Sequence, residues 1–224
     1  MEGLGRKRSV FLRARVWKRA LGALAAASLG LWGLCLGARA QSAAAGAASG
    51  FSLSLSSAAR LDAVFSAIRS GDPAAAPALE SGFPAEPLPD IRAWIVRAAS
   101  DLNAANGAVF FETALQDPSP WVRLAAVEAL GKLGNAQARS DLTAVLASET
   151  NPGVRQSAAY WLGKIGGAPS VSALGQALAS DDNPNVRAQA ARSLAALATP
   201  AAQSALRLGR NDADERVRQI ANGH

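Results

Sequence analysis

The sequence predicts an all-α fold, a right-handed α-solenoid of about four to five stacked antiparallel helix pairs. Three observations predict it: a short motif recurs at a fixed interval, apolar residues follow each copy with a helical period, and helix start and stop residues bracket the copies. The motif is Ile or Val followed by Arg, and its arginines are 31, 32, 32 and 31 residues apart. Such a period indicates stacked supersecondary units rather than one globular core.

The chain begins with a basic segment and then an apolar one, which is the pattern of a secretory signal peptide. Residues 1–19 contain seven basic residues and one acid, and residues 20–36 are uncharged. Ala38 and Ala40 form a small-x-small cleavage site, so we expect residues 1–40 to be a signal peptide cleaved after Ala40. The alternative is an uncleaved membrane anchor, for which 17 apolar residues is at the lower limit.

Removal of residues 1–40 would change the electrostatic argument. The whole sequence has a net charge of +6, but this segment holds eight of the 23 basic residues and one of the 17 acids, which leaves a net charge of −1. Because phosphate binding needs a retained basic face, we expect no nucleic-acid partner. An Ala-rich composition with Arg in excess of Lys is typical of GC-rich bacterial genomes, so the predicted location is periplasmic or secreted.

Two segments lie between the signal peptide and the repeats. Residues 41–59 are rich in Ala, Ser and Gly, which predicts a flexible leader. Residues 60–89 are predicted to form an N-terminal capping helix and a Pro-rich ordered loop, because five prolines between residues 72 and 89 break helical structure. The repeat domain then occupies residues 90–224.

Each repeat is predicted to contain a short first helix and a longer second helix. In the second helix, apolar residues occupy positions 0, 4, 8 and 11, counted from the Ile or Val of the motif. Asn151 and Asn183, each followed by Pro, predict where these helices start, and Gly134 and Gly166 predict where they end. The first helices are predicted at residues 108–115, 140–147, 171–179 and 201–208.

An acidic residue lies six positions before each repeated arginine, in the turn between the two helices. Opposite charges at a fixed spacing predict a ladder in which each arginine bridges acids of its own and a neighbouring unit, a role that suits the bidentate guanidinium. Its members are Glu86, Arg92, Asp117, Arg123, Glu149, Arg155, Asp181, Arg187, Asp212 and Arg218.

This pattern resembles the HEAT repeat family, in particular the short bacterial type called PBS-lyase HEAT-like. The clearest copies are residues 122–134 and 154–166, and the resemblance covers about residue 87 to the C-terminus. It implies a helical scaffold with structural acid and arginine columns. Some relatives are enzymes: deoxyhypusine hydroxylases bind iron through His-Glu pairs, which this sequence lacks, and bilin lyases attach tetrapyrroles to phycobiliproteins.

The sequence offers few residues for catalysis. Its one Cys lies in the predicted signal peptide and its one His is the last residue, so we identify no catalytic, metal-binding or cofactor-binding residue. We therefore predict an exported, non-catalytic scaffold for protein–protein interaction that needs no cofactor. A membrane association follows only if the signal segment is kept as an anchor. The alternative is a lyase-like or chaperone-like accessory protein for a cofactor-bearing partner.

Positions 6 and 10 of the second helices lie away from the apolar stripe and form the candidate partner-binding face. The alternative is a solvated face held by i,i+4 charge pairs such as Glu128 with Lys132. Tyr160 is the strongest single candidate, because aromatic residues anchor interfaces. The face comprises Arg97, Asp101, Glu128, Lys132, Tyr160, Lys164 and Arg192.

Two tryptophans are predicted to have structural roles instead. Trp161 occupies position 7, where other units hold Ala or Ser, so it is expected to fill a gap between repeats. Trp94 borders the first unit and is expected to pack on the N-terminal helix.

Overall fold

The computed structural model describes residues 51–103 and 107–223, and these residues form eleven α-helices and no strand. Three short 3-10 segments accompany them, at Pro73–Ala75, Phe83–Ala85 and Arg207–Asn211. The predicted signal peptide and most of the predicted leader lie outside the described residues. The helices are α1 (Ser57–Ser70), α2 (Ala76–Gly82), α3 (Pro89–Asn103), α4 (Ala108–Ala114), α5 (Pro120–Leu133), α6 (Ala136–Ser148), α7 (Pro152–Ile165), α8 (Ala168–Ser180), α9 (Pro184–Leu197), α10 (Pro200–Leu206) and α11 (Glu215–Asn222).

The helices form two stacked rows, which makes the fold an all-α solenoid. The second helices α3, α5, α7, α9 and α11 each contact the next member of their row, and the first helices α6, α8 and α10 do the same. Short connections join each first helix to its second helix, so the two run antiparallel. The predicted fold class of stacked helix pairs is therefore confirmed.

The predicted start and stop residues of the second helices are confirmed. The side-chain oxygens of Asn151 and Asn183 cap α7 and α9 by accepting hydrogen bonds from the N–H groups two residues later, both at 2.9 Å. Pro follows each capping residue, where a missing N–H costs nothing. Gly134 ends α5 with a φ of +62°, and its N–H donates to the Leu130 carbonyl at 3.0 Å.

The predicted boundaries of two first helices were wrong by one turn or less. Helix α6 begins at Ala136 rather than at residue 140, because the side chain of Asn135 caps it by accepting a 2.8 Å hydrogen bond from the Ala138 N–H. Helix α8 begins at Ala168 rather than at residue 171, since Pro169 falls in its first turn, where proline is tolerated.

The prediction of a loop over residues 72–89 was also wrong. This segment contains two 3-10 turns and the helix α2 between them. Pro77 lies in the first turn of α2, where its missing N–H breaks no helical hydrogen bond. The segment folds because it buries Ala76 and Leu79 of α2, which packs on α3, and Phe83, whose ring lies against Phe110, so burial outweighs the proline signal.

The apolar stripe of the second helices forms the core. Positions 0, 4 and 8 are buried in the units of α5 and α7, whereas position 11 is only partly buried. Trp94 packs edge-on against Phe65 of α1 with ring centroids 4.9 Å apart, as predicted. None of the helices in the described ranges has the length and apolar character needed to cross a membrane.

Candidate functional site

Each arginine of the ladder connects its own unit to the next one. Arg92 donates to the carboxylate of Asp117 from Nε at 2.7 Å and from Nη2 at 2.9 Å. Its Nη1 donates to the main-chain carbonyls of Glu86 and Pro87. The arginine therefore contacts the acid of its own unit through a main-chain oxygen, not through the carboxylate that the sequence analysis expected. The same geometry recurs at Arg123 with Glu149, Arg155 with Asp181, and Arg187 with Asp212.

The carboxylates also hold the turns that precede the second helices. One oxygen of Asp117 accepts a 2.8 Å hydrogen bond from the N–H of Ser119, and Glu149, Asp181 and Asp212 accept equivalent bonds. Hydrogen bonding from Arg123 lowers the pKa of Glu149 below its ordinary value, although burial opposes the shift. These side chains bind one another, so the candidate partner-binding face is the opposite face of the second helices.

The structure adds a contact to this ladder that the sequence analysis missed. Arg60 of α1 forms the same two-bond contact with Glu86, and both side chains are buried. The signal was present, because Arg60 precedes Arg92 by 32 residues. It was overlooked because Ala59 stands where the other copies have Ile or Val. Arg218, in the last unit, donates only to main-chain carbonyls among the described residues.

The candidate face consists of two parts with different electrostatics. On α3 and α5, Arg97 lies 3.4 Å from Glu128, and Lys132 lies 2.7 Å from Asp101. Each pair joins two residues at the same position of adjacent repeats. Glu128 and Lys132, which the sequence analysis paired with each other, are therefore each paired with a residue of α3. The charged side chains on this part of the face are therefore paired with one another.

The second part of the face lies on α7 and α9. The exposed fraction of Tyr160 is 43%, and its ring packs edge-on against Trp161 at 5.3 Å between centroids. The Lys164 ammonium lies 5.5 Å from the centre of the Tyr160 ring, within the range of a cation–π interaction. Arg192 is exposed, and neither it nor Lys164 forms an ion pair with another described residue.

A groove of about 350 Å³ lies beside Tyr160. Gly153 leaves it open, because only the side chain of Asn151 comes near the place where a Cβ would stand. In the preceding unit, the residue equivalent to Gly153 is Trp121, whose exposed fraction is 65%. The groove is lined by Leu124, Glu128, Gly153, Gln156, Ser157, Tyr160 and Gln189.

Trp161 fills a gap between repeats, as predicted. Its indole lies against Gly131 of α5, where an added Cβ would overlap the ring. The indole therefore packs directly on the backbone of α5 behind the exposed Tyr160, which fixes α7 against α5. Among the described residues, no three His, Cys, Asp or Glu side chains are grouped to hold a metal ion.

Comparison with known proteins identifies the family. The family profile described as HEAT repeats matches residues 85–160, 108–180 and 141–222 of this chain. No curated protein matches it. The complex of CpcE and CpcF of phycocyanin lyase from Nostoc sp. PCC7120 is similar with a TM-score of 0.56 and 20% identity, over 79% of this chain and 73% of that one. At this identity the similarity shows the fold alone.

Human deoxyhypusine hydroxylase in complex with glycerol is also 20% identical, over 84% of this chain and 96% of that one, with a TM-score of only 0.38. That similarity is too low to support an argument. The family match, in contrast, extends over more than half of the sequence and over every unit from α3 to α11. The chain therefore belongs to the HEAT repeat family.

Proposed function

We propose that this chain is an exported, non-catalytic scaffold that binds a protein partner on the face formed by its second helices. The observation that carries the proposal is the groove beside Tyr160, which lies next to the part of the face where charge pairs join α3 and α5. Tyrosine is one of the residue types enriched at the positions that contribute most to binding in protein interfaces.

The groove has the composition of a peptide-binding surface. Leu124 and Tyr160 provide apolar contact. Hydrogen-bond donors and acceptors for a peptide main chain come from Gln156, Ser157 and Gln189. The one charged residue of the lining is Glu128, which is paired with Arg97. The helices beneath it are held by the ladder on one side and by Trp161 on the other. A rigid surface loses little conformational entropy on binding, which favours affinity.

Export and the absence of catalysis are supported by the sequence. The N-terminal pattern is that of a signal peptide, and the remaining chain has no Cys and a single His at position 224. Export is tested by the intact mass of the protein from its native envelope. A mass that begins at Gln41 is expected, and a mass that includes residues 1–40 would show a retained anchor instead.

Partner binding is tested by site-specific photocrosslinking in the native organism. A benzophenone amino acid replaces Tyr160, and in a matched control it replaces Ala144, which is exposed on the first helix α6. We expect one protein adduct from position 160 and none from position 144. An adduct from position 144 alone would place the binding surface on the first helices, and no adduct from either would contradict a protein-binding role.

The second candidate is a lyase-like or chaperone-like accessory protein for a cofactor-bearing partner. The fold similarity to the phycocyanin lyase complex favours it. This function requires contact with a chromophore or with its carrier protein. Purified protein from the native source should then show absorbance in the visible range, whereas a spectrum without visible absorbance would count against this candidate.

A further inference from the structure

We infer that the partner presents an acidic peptide segment to α7 and α9, with Tyr160 as the anchor between two cationic side chains. This inference rests on the proposed function and specifies the chemistry of the ligand. It is carried by the distribution of charge along the face, not by the groove alone.

The charges on the first half of the face are already paired. Arg97 contacts Glu128 at 3.4 Å, and Lys132 contacts Asp101 at 2.7 Å. All four side chains are about half exposed, so these pairs add little stability, but each cation has a carboxylate beside it. An acidic ligand would gain little on α3 and α5, because it would displace an existing acid.

The second half has cations without acids. Neither α7 nor α9 contains an Asp or Glu residue. Their four basic residues are Arg155, Arg187, Lys164 and Arg192, and the first two are bound to carboxylates in the turns. Lys164 and Arg192 are left as a local positive patch on a chain whose predicted exported form carries a net charge of −1.

The register of the repeats places both cations beside Tyr160. Arg97 and Glu128 occupy position 6 of adjacent units, and they are in contact. Tyr160 and Arg192 occupy the same position in the next two units, and α7 packs on α9, so the register places Arg192 on the side of Tyr160 opposite Glu128. Lys164 already lies over the Tyr160 ring. The aromatic ring is thus bordered by two cations and opens onto the groove.

A segment with Asp or Glu side chains matches this arrangement. Its carboxylates would bind Lys164 and Arg192 through charge-assisted hydrogen bonds, the guanidinium of Arg192 in bidentate geometry. An apolar side chain of the same segment would enter the groove against Leu124 and Tyr160. Two cations are too few to hold a nucleic acid, whose affinity grows with the number of neutralised phosphates.

The test is a selection of random peptides displayed on phage against the purified chain, starting at Gln41. We expect enriched peptides that contain several Asp or Glu residues and an apolar residue. The double variant Lys164→Glu and Arg192→Glu should bind the selected peptide about 100-fold more weakly, since each of the two lost charged contacts costs about tenfold. The matched control is Arg207→Glu with Arg210→Glu, which makes the same charge change at exposed positions beyond α10.

The outcomes separate the two proposals. Peptides that are neutral or basic, and that lose affinity in Tyr160→Ala, would overturn the acidic ligand and leave the proposed face intact. Peptides that are unaffected by Tyr160→Ala, or no enrichment at all, would overturn both. Equal weakening by the control variant would show a nonspecific charge effect and would also overturn the inference. Each variant is first shown to keep the Tm of the unaltered chain, so loss of fold does not enter the comparison.

Discussion

Arg60 donates two hydrogen bonds to the buried carboxylate of Glu86, from Nε at 2.7 Å and from Nη2 at 3.1 Å. Its Nη1 donates to the carbonyl of Leu55, five residues earlier, just as Arg92 donates to Pro87. Helix α1 therefore takes the place of a second helix in the stack. The row of second helices therefore has one more member at its start than the repeated motif indicates.

The first prediction concerns this contact. Arg60→Ala should lower the free energy of unfolding by about 3–5 kcal/mol, because it leaves the Glu86 carboxylate buried without its cation. Arg69→Ala on the same helix is the control, since its pair with Asp62 is exposed and worth at most about 1 kcal/mol. Urea denaturation measures both values. Equal losses would show that α1 is not part of the ladder.

The second prediction compares two arginines of the same column. Arg155→Ala should cost about 3 kcal/mol, because Asp181 loses both bonds from its guanidinium. Arg218→Ala should cost about 1 kcal/mol, because among the described residues it removes only hydrogen bonds to two main-chain carbonyls. Thermal unfolding of the two variants distinguishes them. A larger loss for Arg218→Ala would contradict the structural role of the carboxylate contact.

The third prediction tests the register of the apolar stripe. Leu162 is fully buried, so Leu162→Ala should lower the free energy of unfolding by about 2–5 kcal/mol. Leu208→Ala serves as the control, since more than half of its surface is exposed and the expected change is about 0.5 kcal/mol or less. Chemical denaturation reports both, and an unchanged midpoint for Leu162→Ala would mean that the stripe is misplaced.

The repeat could be predicted from sequence because its signals are local and recur at one spacing. Contacts within the second helices depend only on the helical period, so the buried positions of Val154, Ala158 and Leu162 followed from it. The charge pairs of the candidate face could not be predicted from the helical period, because Arg97 contacts Glu128 only when α3 and α5 adopt one particular offset. The prediction for the proline-rich segment was wrong because a proline in the first turn of a helix is favourable, whereas a proline in the middle breaks the helix.

The fourth prediction concerns pH. Hydrogen bonding from Arg123 to Glu149 and from Arg187 to Asp212 lowers the pKa of both carboxyl groups, from ordinary values of 4.5 and 3.8. A carboxyl group whose pKa is lower in the folded state stabilises the protein above its unfolded pKa and loses this contribution as pH falls through the folded pKa. The Tm should therefore decrease below about pH 4.5.

A matched variant assigns this pH dependence to the ladder. Glu149→Gln keeps a hydrogen-bond acceptor but removes the titrating group, so its Tm should be lower near pH 7 and should fall less steeply in acid. The control is Asp62→Asn, which removes a carboxylate from the exposed surface of α1. A slope that is the same in all three proteins would exclude Glu149 as a source of the acid sensitivity.

The fifth prediction uses the contact between Gly131 and Trp161. A Cβ at Gly131 would overlap the indole, so Gly131→Ala should destabilise the chain by about 1–3 kcal/mol through overpacking. Trp161→Ala alone should also destabilise it by leaving a gap between α5 and α7. In the Trp161→Ala background, however, Gly131→Ala should be neutral or stabilising by up to about 1 kcal/mol, since Ala favours the helix over Gly.

The decisive observation is that Gly131→Ala no longer destabilises the chain once Trp161 is removed, because additive effects would show that the two residues do not interact. The same close packing recurs one unit later, where a Cβ added to Gly163 would lie 2.5 Å from the Cβ of Ser193. One unit earlier, the equivalent positions hold Ser100 and Ala129, both buried. A small residue thus occurs on at least one side of each contact. A double-mutant cycle measured by urea denaturation therefore tests how adjacent repeats fix their offset, and with it the placement of Tyr160 on the candidate face.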